Sequence, residues 1–302
     1  MPMKIVIGTR RSSLALVQSR AVARPLEAAG AEVEIRPIKT VGDTLDVALS
    51  ELGGEGVFIE EIDEALLSGG IDVAVHSMED VPAQLPQGIA IAAVTPREDP
   101  REAFISNRAF KLSGLSKGAK VGTSSPRRRA QLFRIRPDLE VMPIKGNVVA
   151  RLRKLEAGKV DALILAAADL KRLGIGNVIT ECLPVDKMVP AAGQGALAVE
   201  VMGQNKDLIR FVHKTCHHAA TGIAVRAERS FLKTVGGDSN APIAAYGEIR
   251  PSGLVLIAFL STRDESHFVI DRESGPVGEA AEIGKRLGER MLKELGSKGS
   301  KS

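Results

Sequence analysis

The chain has 302 residues, 44% of them hydrophobic and only 3% aromatic, with no Trp and a formal net charge of +4. That length and apolar share suit two or three domains with sizeable cores, and the scarcity of aromatics leaves single-stranded nucleic acid without stacking platforms. No apolar run approaches a membrane span and residues 1–6 lack the apolar core of a signal peptide, so neither a membrane nor a nucleic-acid partner is expected and the chain reads as cytoplasmic.

In chain order, residues 4–7 form an apolar strand, followed by the turn GTRRSS and a helical stripe of Leu14, Leu16, Val17, Ala21 and Leu26. Residues 33–38 supply the next strand. The glycine-rich stretch 41–55 reads as a mobile loop, and residues 58–67 as an amphipathic helix stopped by Gly69-Gly70. Residues 71–75 are a buried strand whose end delivers His76, Ser77, Met78, Glu79 and Asp80. Residues 89–94 are another strand.

Residues 121–153 concentrate arginines around two strand-to-helix turns. In the first, Val121-Gly122-Thr123 ends a strand, while Ser124, Ser125 and Pro126 start a helix with hydroxyls able to cap and Pro suited to the first turn. Arg127, Arg128 and Arg129 then sit where cations oppose the helix dipole. Bare N–H groups, hydroxyls and guanidiniums together make an anion site. In the second turn, residues 139–144 form a strand, Lys145-Gly146-Asn147 the turn, and the next helix carries Arg151 and Arg153. Arg127, Arg128, Lys145 and Arg151 are read as anion ligands; Arg129, Arg134 and Arg153 as a solvated face.

The grammar of the first ninety-odd residues recurs here. IGTRRSSLALVQSR resembles VGTSSPRRRAQLFR, EVEIRPIKT parallels LEVMPIKG, and LLSGGIDVAV parallels KLEAGKVDALIL, which runs on to Asp169. The fold class expected is α/β, with two similar lobes around a cleft at their strand C-termini and a small α+β domain after Cys216. Residues 95–101 and 183–190 are connectors, and the strand 196–201 is assigned back to the first sheet. The domains are then 1–95 with 191–215, 96–190, and 216–302. Cys182 and Cys216 lack metal-ligand spacing and read as reduced thiols. His213, His217 and His218 cluster in HKTCHHAAT, read as a helix start, and no metal is expected.

The motifs GTRRSSLAL, LGGEGVFIEEID, IDVAVHSMEDVP, REDPREAFIS, VGTSSPRRRAQL, KGNVVARL, LAAADLKRLG, PAAGQGAL and GGDSNAPIAAYGE, in this order, resemble the porphobilinogen deaminase (hydroxymethylbilane synthase) family over residues 4–271. The resemblance implies three domains, the first two like the lobes of periplasmic binding proteins. It implies a monomeric transferase of tetrapyrrole (heme) biosynthesis that joins four porphobilinogen units head to tail into hydroxymethylbilane and releases ammonia. Growth takes place on a dipyrromethane cofactor attached to a cysteine of the third domain. By motif matching, Asp80 falls on the catalytic aspartate. Arg10, Ser12, Thr123, Ser124, Ser125, Arg127, Arg128, Lys145, Arg151, Arg172 and Gln194 fall on cofactor-binding positions, Lys145 standing where the family usually has Arg. The chemistry agrees, since each pyrrole carries two carboxylates and the Arg fork pairs with carboxylates bidentately. The alternative for Asp80 is a helix N-cap before Val81-Pro82, and His76 is read as a hydrogen-bonded structural residue.

Two departures stand out. The family's cysteine falls on Ser239 counting back from Pro242, or on Asp238 counting forward from Gly237. Either way the thiol is missing, and a serine hydroxyl is a far weaker nucleophile at neutral pH. Glu79 stands where the family has Lys beside the catalytic aspartate, and Glu51, Glu55 and Glu60 replace basic or neutral residues. The alternative function is therefore an inactive, engineered or paralogous two-lobed protein that holds a polycarboxylate or pyrrole.

Overall fold

The computed structural model describes residues 2–40, 59–237 and 241–299. The expected mobile loop, with Glu51 and Glu55, and the cofactor-attachment position at Asp238 or Ser239 lie outside them. The described residues form three sheets in two compact units, residues 1–98 with 195–223 and residues 99–194 with 224–302.

In the first unit, β1 (Lys4–Arg10), β2 (Glu32–Ile38), β3 (Val73–Ser77), β4 (Ile89–Val94) and β10 (Leu197–Met202) make a sheet of order β2-β1-β3-β10-β4. Strands β2, β1 and β3 are parallel, while β10 runs antiparallel between β3 and β4. Strand β10 thus returns to the first sheet, as its apolar run predicts. Helix α1 (Ser13–Ala28) and helix α6 (Lys206–Cys216) bury Val22, Leu26, Leu208 and Val212 with Ile5, Ile7, Val75 and Val199. Helix α2 (Glu60–Leu67) contributes Ile62 and Leu66 to a second apolar cluster with Ile71, Ala74 and Ile89. Its first turn carries Glu60, Glu61 and Asp63, where the helix dipole favours acids. That gives Glu60 a local role.

In the second unit, β5 (Glu102–Ser106), β6 (Lys120–Gly122), β7 (Glu140–Met142), β8 (Ala162–Ala166) and β9 (Glu181–Leu183) form a sheet of order β7-β6-β8-β5-β9. The topology repeats that of the first sheet. β6 is parallel to β7 and β8, as β1 is to β2 and β3, and the antiparallel fourth position is held by β5 instead of β10. The repeat extends to Gly8 and Gly122. A Cβ on Gly8 would lie 2.3 Å from Ile71 Cδ1, and one on Gly122 2.8 Å from Leu163 Cδ2, so each strand is bare where a neighbour's aliphatic side chain crosses it.

Helices α3 (Pro126–Ile135), α4 (Val148–Glu156) and α5 (Ala167–Arg172) follow β6, β7 and β8. The C-terminal part of this unit opens with α7 (Ala219–Val235), whose first residues belong to the first unit. The antiparallel meander β11 (Ile243–Arg250), β12 (Gly253–Ser261) and β13 (Phe268–Gly275) follows, then α8 (Ala280–Gly299). Ala130 of α3 packs with Ala244, Ile257 and Phe259, joining this sheet to the rest of its unit.

The fold class is thus α/β: two lobes of one topology and a smaller α+β element. Two strands add to the sequence reading: β5 forms where no element is expected, and β9 reaches the expected connector at Leu183. HKTCHHAAT does hold the start of a helix, α7 at Ala219, but it also holds the end of another: His213 and Cys216 close α6, with His217 as its C-cap.

Candidate active site

The strand C-termini of the first sheet carry its candidate residues. Ser12 caps α1, its Oγ accepting from the Ala15 amide at 3.2 Å. Thr9 is buried and donates to the Ala15 carbonyl at 3.2 Å. Arg10 ends β1, and continuing the β1–β3 register from Gly8 and Ala74 sets it beside His76. Gln18 of α1 donates to Ser77 Oγ at 2.8 Å and anchors the end of β3. From there a single 3₁₀ turn, Met78–Asp80, carries Glu79 half-buried and Asp80 exposed, with Met78 and Val81 buried on either side. No α-helix follows this turn before β4, so the N-cap alternative for Asp80 falls. The aspartate is an exposed carboxylate on a short turn whose two flanks are fixed in the core. At His76, Nε2 has no hydrogen-bond partner and lies 3.8 Å from Asp63 Oδ1 and 3.6 Å from Glu200 Oε2.

The second unit brings together most of the predicted basic residues. Ser125 caps α3 by accepting from the Arg128 amide at 3.4 Å, and Pro126 follows it at the start of the helix. Thr123 Oγ1 accepts from the Ser125 amide at 3.2 Å. Ser124 Oγ donates to the Ile144 carbonyl at 2.8 Å and accepts from its amide at 2.9 Å, locking the β6 turn to the β7 turn. The three hydroxyl groups therefore shape the turns. Asn147 caps α4 at 3.0 Å, Gly146 adopts a φ of +102° that only glycine takes cheaply, and its carbonyl accepts Arg151 Nε at 2.7 Å.

These turns surround two carboxylates that the sequence reading missed. Glu102, fully buried, pairs with Arg127 Nη2 at 2.7 Å and Arg128 Nε at 2.8 Å, and accepts from Gln194 Nε2 at 3.1 Å. Arg127 also donates to the Val189 carbonyl at 3.0 Å and to Gln194 Oε1 at 3.1 Å. Burial alone would push the Glu102 carboxyl up. The charges of Arg128 and Arg127, with hydrogen bonds from Arg127 and Gln194, outweigh it and hold the group below its ordinary range.

Asp169 is the second. Burial raises its pKa against the opposing pull of Arg172, Arg128 and Arg151. Arg151 itself is lowered, first by burial and then by repulsion from Arg128. Four guanidiniums thus face two carboxylates in a partly desolvated setting, and at Arg151 the repulsion of Arg128 works against the attraction of Asp169. Such a cluster attracts anionic groups, carboxylates above all. Lys145 is exposed, with its carbonyl accepting Lys154 Nζ at 2.9 Å. Arg153 is exposed, in keeping with its solvated reading, whereas Arg129 pairs with the buried side chain of Glu265 at 2.7 Å. A sequence signal for Glu102 existed: an acid opening the otherwise apolar strand EAFIS must be matched when buried.

The chain matches the family described as "Porphobilinogen deaminase, dipyromethane cofactor binding domain" over residues 5–210, and "Porphobilinogen deaminase, C-terminal domain" over residues 223–293. The chain belongs to the porphobilinogen deaminase family. It is 48% identical to the porphobilinogen deaminase of Geobacter sulfurreducens over 296 residues, covering 97% of this chain and 92% of that one. It is likewise 48% identical to the enzyme of that name from Geotalea uraniireducens, over 96% of this chain and 92% of the relative. Among solved structures, a nutrient binding protein from Burkholderia cenocepacia bound to methionine covers 69% of this chain and 89% of its own at 15% identity, with a TM-score of 0.44.

The family is one of transferases, and its first domain is defined by dipyrromethane binding. The residues present fit that cofactor: an excess of guanidinium charge among Arg127, Arg128, Arg151 and Arg172 suits a ligand bearing several carboxylates. Among the described residues, no helix is long and apolar enough to cross a membrane.

Proposed function

We propose that this chain condenses porphobilinogen head to tail into hydroxymethylbilane with release of ammonia, as a cytoplasmic, monomeric enzyme of tetrapyrrole biosynthesis. The observation that carries this reading is the guanidinium excess around Asp169 and Glu102. Its domains are residues 1–95 with 191–215, residues 96–190, and residues 216–302. In the second lobe Arg128, Arg151, Arg172 and Lys145 hold pyrrole carboxylates; in the first, Arg10 and Ser12 are anion ligands. Ser124, Ser125 and Thr123 shape the turns and offer their remaining hydrogen-bonding capacity. Arg127 and Gln194 act on the cofactor chiefly through Glu102, whose buried network fixes Arg128.

A bound dipyrromethane would supply the pyrrole terminus to which units are added. Asp80 acts on the incoming porphobilinogen. Departure of ammonia leaves an electron-poor azafulvenium, and an acceptor-only carboxylate both takes hydrogen bonds from pyrrole N–H groups and stabilises the cation. Proton transfers around amine departure also fall within its reach as an acid or base. Ser239 cannot attack as a cysteine thiolate does, so the cofactor is held by ion pairs instead of a thioether link.

The test is to supply porphobilinogen and follow ammonia and hydroxymethylbilane. Asp80→Asn should lower kcat by about 10²-fold or more with the fold retained. Wild-type turnover in that variant would remove Asp80 from its role.

A further inference from the structure

The face of the first sheet covered by α2 is aliphatic, built from Ile62, Leu66, Ile71, Ala74 and Ile89. Into this face three polar side chains converge from three elements: Asp63 of α2, His76 of β3 and Glu200 of β10. The strand register explains two of them. His76 stands opposite Ala198 in the antiparallel β3–β10 pair, so Glu200, two residues on, projects from the same face. Asp63 enters from the helix packed above. All three are buried, with relative exposures of 6%, 5% and 1%.

Their spacing is wrong for direct hydrogen bonds and right for shared ligation. His76 Nε2 lies 3.8 Å from Asp63 Oδ1 and 3.6 Å from Glu200 Oε2, beyond the hydrogen-bond range. Neither His76 Nε2 nor Asp63 Oδ1 has a hydrogen-bond partner. One ligand atom from each residue falls within 4.8 Å of the others. Two ligands bound tetrahedrally to one ion at zinc-like bond lengths are about 3.4 Å apart, so the two distances from His76 need to close by only a few tenths of an ångström, and the two carboxylates, within 4.8 Å of each other, draw together around the ion.

We propose that Asp63, His76 and Glu200 bind one divalent transition-metal ion of the zinc class. One imidazole nitrogen with two carboxylate oxygens is a donor set that such ions accept, whereas Mg²⁺ favours oxygen donors alone and keeps several waters. Burial and the nearby charge of Arg10 hold His76 neutral at physiological pH, leaving its ring nitrogen able to ligate. Two other charges act on the cluster. Glu60 reinforces the negative potential at Asp63, and Arg10 opposes a dication. The three ligands lie on separate elements, 13 and 124 residues apart, so no local spacing reveals them. The ion would pin α2 to β3 and β10 just behind the turn that carries Asp80.

The experiment refolds the full chain with Zn²⁺ or Mg²⁺, removes free metal and measures bound metal together with thermal stability. The expected result is one equivalent of Zn²⁺ per chain with a Tm raised by at least roughly 2 °C, and neither effect with Mg²⁺. Asp63→Asn and Glu200→Gln, both near-isosteric, should lose the zinc, while Glu34→Gln, an exposed carboxylate, should keep it. X-ray absorption of the zinc-loaded wild type, which needs no variant to fold, should show a single imidazole among oxygen donors. Several imidazoles would assign the ion to the His213 cluster and overturn the proposal. So would zinc binding undiminished in both variants, or no zinc retained by the wild type.

Discussion

At the scale of single residues, charge balance separates structural arginines from binding ones. Glu102 is shared by Arg127 and Arg128 with no access to water, so its removal leaves two buried guanidiniums without their carboxylate. Glu102→Gln should cost about 3–5 kcal/mol of stability, measured by urea unfolding. A variant as stable as the wild type would show that the network is not needed for folding. Arg151 differs, because burial and Arg128 both act against its charge. An incoming carboxylate relieves both, so Arg151→Ala should weaken binding of a pyrrole carboxylate by roughly 1.5–3 kcal/mol in calorimetry. Arg153→Ala should do little, since that side chain is solvated. The sequence shows the arginines and their turns, but not their acids. Glu102 precedes Arg128 by 26 residues and meets it only because β5 runs against β8.

At the scale of elements, the helix starts are the most legible feature, since Ser12, Ser125 and Asn147 cap them with their own side chains. Strands β5 and β9 are less so. β9 is three residues long and β5 opens on an acid, and both exist because an antiparallel neighbour pairs with them. At the α6–α7 junction the start of α7 is legible, whereas three histidines and a cysteine hide the end of α6. Its chemistry gives a pH effect. His217 Nδ1 accepts from the Val94 amide at 3.1 Å, so its ring must be neutral to keep that bond. Burial, then the neighbouring His213 and His218, lower its pKa. A depressed pKa means the folded state binds fewer protons than the unfolded one. The stability it contributes is present above the ordinary histidine value and is lost as pH falls below it. His217→Asn keeps an acceptor at that place but does not titrate. Compared by urea unfolding at about pH 7.5 and about pH 5, it should lose less stability on acidification than the wild type. An equal loss in both would clear His217 of the effect.

At the scale of the whole molecule, the repeat visible in the sequence is a repeat of sheet topology. The chain fills the antiparallel position of the first sheet with a late strand and that of the second with an early one. That exchange cannot be read from local pattern, although the apolar run of β10 gave its destination. The central claim is that guanidinium charge, without a thiol, retains a polycarboxylated pyrrole on this chain. Intact mass spectrometry after exposure to porphobilinogen tests it most directly, run under native and under denaturing conditions, on the wild type and on Ser239→Cys. The account predicts a dipyrromethane-sized adduct on the wild type that survives native spray and disappears on denaturation, and one on Ser239→Cys that survives both. A wild-type adduct that persists after denaturation, or no adduct on either protein under native conditions, would contradict it.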